Sequence, residues 1–246
     1  MVQKRLTKRQ MKEDPLLTWT VRIETYLEEN LKRIAIVVGA VALAVALVFV
    51  WRGMSRGAES EASAQLAEAQ FQLWSGNPTQ AAESAKRVID QHGGTRSGRQ
   101  AHLVRGDALL ATGDPQGAMA EYKIFLDHVG GNRELGQVGR RGLAVAAENA
   151  KQYADAAAAY EELAREEERL LPERKKAPQM SATLRPEAAV IQDLLAAARC
   201  FGQAGEAAKA RALYEEITAR YGAEPQAADA KLRLAEIAAQ AAAPAP

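Results

Sequence analysis

Cys200 is the one cysteine of the 246-residue chain, and it lies in a helical stretch with Ala196, Ala197 and Phe201. A lone thiol closes no intrachain disulfide, so the segments around it must be held by packing alone. To act as a nucleophile it would need a neighbouring base or cation to hold the thiolate. No Cys-His-Asn arrangement or basic neighbourhood accompanies it, and the expectation is a buried, inert thiol. His92, His102 and His128 are separated by 10 and 26 residues and have no Cys or Asp cluster beside them. That spacing does not bring metal ligands together within a turn or a hairpin. Glu166-Glu167-Glu168 and Glu173-Arg174-Lys175-Lys176 read as solvated charge. Asn77-Pro78-Thr79 has proline in the middle and is no glycosylation site. Phosphate loops, Gly-rich dinucleotide turns and nucleophile elbows are missing from the sequence. The expectation is therefore a protein that is not an enzyme, takes no cofactor, metal or small-molecule substrate, and carries no nucleic-acid signature.

With chemistry of that kind set aside, the elements themselves become informative. Residues 34–51 read IAIVVGAVALAVALVFVW, eighteen positions without a charge. In hydrocarbon every backbone N–H and C=O needs an internal partner, so such a stretch is stable there as a helix. At about 1.5 Å per residue it covers roughly 27 Å, enough to span. A cleaved signal would have a shorter leader; here 33 residues precede the span, and Ala62-Ser63-Ala64 lies beyond Arg52, Arg56, Glu59 and Glu61, so an uncleaved signal anchor is expected. Residues 1–33 hold eight basic and five acidic residues, and residues 52–246 hold 24 basic and 26 acidic. Basic flanks stay on the cytoplasmic side, which places the leader inside and the large C-terminal part outside, in the periplasm of a bacterial cell. Between residues 16 and 31 the positions Leu16, Trp19, Ile23, Leu27 and Leu31 mark an amphipathic helix, which either lies along the cytoplasmic interface or simply extends the span. The polar, basic first twelve residues suit disorder or anionic lipid.

Residues 58–243 are rich in Ala, Leu, Glu, Arg and Gln and read as all-α. They repeat at a spacing of 37. Gly76-Asn77-Pro78 and Gly113-Asp114-Pro115 open two stretches that match again at Ala81/Ala118, Lys86/Lys123, Asp90/Asp127 and Gly93/Gly130. A third copy starts at Lys151-Gln152-Tyr153 and a fourth at Gly205-Glu206-Ala207. The spacing of a small residue and an aromatic four positions on, in Ala118/Tyr122, Ala156/Tyr160 and Ala210/Tyr214, resembles the second helix of the tetratricopeptide repeat. Gly106 falls where that family keeps a small residue in the first helix, Leu143 and Ala144 fall on its Leu-Gly pair, and Ala198 again offers a small side chain. The chain departs from the pattern at Gly130 and Gly222, which replace the closing proline, and at Arg105, which replaces the usual Leu. The resemblance implies about four hairpins in a helical solenoid, with RLLPERKKAPQMSATLRP, residues 169–186, as an inserted loop. A capping helix after Pro225, marked by Ala227, Ala230, Leu234 and Ile237, closes it, and AAAPAP forms a tail.

In this repeat family the first helices line the inner wall. Carried over position by position, that wall comprises Gln100, Leu103, Asp107 and Leu110; then Val138, Arg141, Val145 and Glu148; then Gln192, Leu195 and Arg199. Leu and Val would anchor an amphipathic or extended peptide, and Arg141 and Arg199 would be free to hold a carboxylate; alternatively, the apolar members pack within the hairpins. The order of a short inside segment, one Trp-ended span and an outer repeat array resembles the membrane-anchored ancillary subunit of the bacterial Sec translocon. That likeness implies a non-catalytic scaffold at the lipid bilayer, with the translocon, a chaperone or other subunits of a membrane complex as protein partners. The alternative is a structural accessory subunit of a large membrane complex.

Overall fold

The computed structural model describes residues 15–176 and 186–242. Among them the structure is all-α, without a strand. The chain divides into two compact units between Gly57 and Ala58, and the first helix, α1 (Pro15–Trp74), contributes to both. The polar first twelve residues and the last four lie outside the described residues.

In the first unit, α1 contains an eighteen-residue window of mean hydropathy 2.9, none of it buried, making it the one helix among the described residues long and apolar enough to cross a membrane. Val37, Leu43, Leu47, Val50 and Trp51 are all exposed. Residues 16–31 run into this stretch as uninterrupted helix, which is the geometry of a helical extension.

In the second unit the C-terminal part of α1 and α2 (Pro78–His92) form the first hairpin. Three more follow: α3 (Arg96–Ala111) with α4 (Pro115–His128), α5 (Arg133–Asn149) with α6 (Tyr153–Lys176), and α7 (Pro186–Gln203) with α8 (Ala207–Tyr221). A short 3-10 turn (Pro225–Ala227) leads into α9 (Ala228–Ala242). Each hairpin turns by the same device. The second residue after the first helix takes a left-handed conformation, at Gly76, Gly113 and Gly205 with φ near +80° (79°, 83° and 82°) and at Lys151 with φ 61°. The next backbone N–H then reaches back to the helix, as Asp114 does to the Leu109 carbonyl and Gln152 to that of Ala147, both at 2.9 Å. This satisfies carbonyls that the helix end would otherwise leave bare. Pro78 and Pro115 start the following helices, where a missing N–H costs nothing.

Small residues and rings interlock between the helices. Ala118, Ala156 and Ala210 are buried together with Tyr122, Tyr160 and Tyr214. A Cβ on Gly106 would stand 2.8 Å from the Tyr122 ring, and one on Gly142 only 2.6 Å from it. The ring is therefore clamped between α3 and α5, and glycine is what lets both helices close on it. The largest apolar cluster runs from Ala144 to Ala230 and includes Ile191, Leu194, Ile217 and Cys200.

One expectation needs correction. The stretch 169–186 is not wholly a loop: α6 continues to Lys176 with Pro172 inside it, and α7 begins at Pro186, while residues 177–185 lie outside the described residues. Leu171 packs on the main cluster and carries the helix past the proline, which removes one backbone bond close to the helix end.

Candidate protein-binding face

The eleven wall residues sit on α3, α5 and α7, the first helices of the second to fourth hairpins. On α3, Gln100, Leu103 and Leu110 are half-buried and Asp107 is exposed. On α5, Val138 is 45% exposed, while Arg141, Val145 and Glu148 are half-buried. On α7, Gln192 and Arg199 are exposed and Leu195 is half-buried. Leu103 and Leu110 lean on the Tyr122 cluster, and Val145 and Leu195 on the larger one. Val138 is thus the wall's most open apolar side chain.

The charged members behave differently from expectation. Arg141 donates through Nε and Nη2 to the two carboxylate oxygens of Asp193, at 3.1 and 2.6 Å. Arg199 likewise forks onto Glu148, at 3.0 Å to each oxygen. The Tyr160 hydroxyl donates to the same Glu148 at 3.2 Å, and that of Tyr122 to Asp107 at 2.6 Å. Burial and these carboxylate neighbours push both phenols well above the ordinary tyrosine range, so they stay neutral donors. The two arginines are thus engaged within the chain, joining α5 to α7. Forked guanidinium–carboxylate pairs are among the stronger polar contacts, and an incoming carboxylate would have to displace one.

Asp193 is not among the residues the sequence singles out, and Tyr160 is singled out there only as a packing ring. A signal existed: α5 carries a base then an acid, Arg141 and Glu148, whereas α7 carries an acid then a base, Asp193 and Arg199, so two parallel first helices pair in register. The same habit extends outward. Glu121 on α4 holds both His102, at 2.6 Å, and Arg105, which explains an arginine where the repeat usually has Leu. Arg140 pairs with Glu166, and Arg165 with Glu216 at 2.7 Å. Cys200 is fully buried, and burial together with Glu148 pushes its thiol up to about 11. Among the described residues no three His, Cys, Asp or Glu side chains gather as a metal site would require.

Stacked helical hairpins closed by left-handed turns and small-to-aromatic packing define an α-solenoid of the protein-interaction class. The chain belongs to the tetratricopeptide repeat-like domain family, whose pattern it matches over residues 24–158, and a further tetratricopeptide repeat is matched over residues 194–222. Among solved structures it is similar to a Podosopora anserina candidate kinesin light chain with nearly identical TPR-like repeats. The TM-score is 0.56 at 16% identity, over 72% of this chain and 85% of that one. A single-substitution variant of the same protein gives the same values. At that identity the likeness concerns the fold. None of the curated proteins matches this chain.

Proposed function

We propose that this protein is a non-catalytic, membrane-anchored adaptor that holds a protein partner against the α3–α5–α7 face. The observation that carries the reading is the state of that face. Its arginines are neutralised from within by Asp193 and Glu148, which leaves the open Val138, with the half-buried edges of Leu103, Leu110, Val145 and Leu195, to discriminate. Such a face suits an apolar or amphipathic segment. The exposed apolar helix of the first unit supplies the anchor, and the basic leader supports an arrangement with the repeats on the outer side of a bacterial inner membrane. There the translocation machinery and its chaperones are partners of the right kind.

Photo-cross-linkers at Leu103 and Val138, in full-length protein in native membranes, test this. Adducts with one defined partner, lost on Val138→Glu, support it; equal labelling from exposed Lys123 on α4 overturns it.

The second reading, a fixed subunit of a membrane complex, is favoured by Phe71 and Trp74, which stand 59% and 86% exposed on the terminal helix of the array. Stoichiometric, salt-resistant copurification in detergent would favour that reading over transient capture.

A further inference from the structure

A cleft of about 290 Å³ opens where the first turn of α3, the end of α4 and the start of α5 meet. Its polar rim carries Arg96, Arg99, Gln100, His128 and Asn132, and its apolar lining is Phe125, Val129 and Leu135. Arg105, Arg140, Arg141, Arg165, Arg199, Arg211, Arg220 and Arg233 each hold a carboxylate. Arg87, Arg133 and the two arginines of this cleft hold none among the described residues. Glu59, the carboxylate whose charge Arg96 feels, is taken up by the backbone N–H groups of Arg96 and Ser97, at 2.7 and 3.2 Å, and by the Ser97 hydroxyl at 2.7 Å. Arg99 gives one N–H to the Gly94 carbonyl at 2.9 Å, which leaves most of its donors open. His128 is held through Nδ1 at the Ile124 carbonyl, 2.7 Å away.

Two guanidinium groups not hydrogen-bonded to any carboxylate among the described residues, over an apolar floor, match an oxyanion attached to an apolar chain. A bare phosphate would use the rim and leave the floor dry. Gln100 belongs both to this rim and to the binding face, so the cleft borders that face at the edge formed by the starts of α3 and α5. We propose that the cleft receives an acidic side chain of the same protein segment that lies along the α3–α5–α7 face. The partner is then an apolar segment acidic at one end, and acids along its middle gain nothing because Arg141 and Arg199 are already satisfied. This rests on the reading of the face as the binding surface.

The test uses the full chain in phosphatidylcholine nanodiscs and two fluorescein-labelled decapeptides of alternating Leu and Ala, one ending in a pair of Glu residues and its twin in a pair of Gln. The acidic peptide should bind about tenfold more tightly, the value of one or two charge-assisted hydrogen bonds. Arg96→Gln combined with Arg99→Gln should erase that preference while leaving the twin's affinity and the circular dichroism unchanged. Equal affinities, or a preference that survives the double substitution, would each overturn the inference. If both peptides bind equally and both are lost on Val138→Glu, the cleft fails and the face stands. If neither binds, the cleft fails, and the cross-linking from Leu103 and Val138 decides the face independently.

Discussion

Arg141 on α5 and Asp193 on α7 are joined by two hydrogen bonds, 3.1 and 2.6 Å long, across 52 positions of sequence. Asp193 is 3% exposed, so water reaches its carboxylate hardly at all and Arg141 supplies its main polar contact. Arg141→Ala should therefore cost about 2–3 kcal/mol by leaving a buried carboxylate bare. In a domain of this size that lowers Tm by roughly 5–10 °C. Replacing both residues together, Arg141→Met with Asp193→Leu, should cost clearly less than the single change. Thermal melts of the three proteins check the order, and a double variant as unstable as Arg141→Ala would show that the pair's shape, rather than its charge, is what α5 and α7 need.

Two glycines on one helix should respond to alanine with opposite signs. On Gly142 the new methyl meets the Tyr122 ring at 2.6 Å, whereas on Gly136 it finds ordinary contact with Val129 at 3.7 Å. Alanine favours a helix interior over glycine by about 1 kcal/mol, and overpacking costs typically 1–3 kcal/mol. Gly142→Ala should thus destabilise and Gly136→Ala stabilise, as read by urea midpoints at unchanged slope.

Much of this architecture can be read from residue types because it is local. Gly76, Gly113 and Gly205 mark left-handed turns that glycine favours, and Ala118 four positions before Tyr122 marks a packed helix pair. Lys151 performs the same turn with a side chain that gives no hint of it, so the third hairpin is less distinct. The fate of Arg141 and Arg199 was harder still to read, because their partners are set by how α5 and α7 align some fifty residues apart. A guanidinium reads as available until the facing helix is known. Pro172 misled in the other direction: a helix-breaking residue suggested a loop where Leu171 packing prevails.

The thiol of Cys200 should be silent in the folded protein. With full burial and a thiol pushed up to about 11, the thiolate is scarce at neutral pH and no reagent reaches it. Iodoacetamide at pH 8 should label it only in denaturant. Rapid labelling of native protein would mean that α7 opens readily.

Acid should weaken the junction between α6 and α8. The Arg165 guanidinium, assisted by Arg220, holds the Glu216 carboxyl below the usual carboxylate range. A depressed folded-state value gives stability that is present above the unfolded value, about 4.3, and is lost as pH falls through the folded one. Glu216→Gln should therefore lower stability at pH 7 and flatten its decline between about pH 5 and 3. Urea melts across that range give the comparison.

Carbonate washing of membranes should leave the protein in the pellet. Protease added outside spheroplasts should remove the repeats and spare residues 1–33, the pattern of one span with its basic end inside. Release by carbonate would show that protein, not lipid, covers the apolar stretch of α1.

The Tyr122 ring, held between Gly106 and Gly142, sits in a small cluster with Ala118 and Ala146, between one cluster spanning Ala62 to Val104 and another from Ala144 onward. The middle of the array is joined by rings seated on glycines, Tyr122 on Gly106 and Gly142 and the buried Phe125 on Gly139. The spacing of α3 and α5 beneath Leu103 and Leu110 is therefore set by three missing side chains, and a methyl on any of them would wedge neighbouring helices apart.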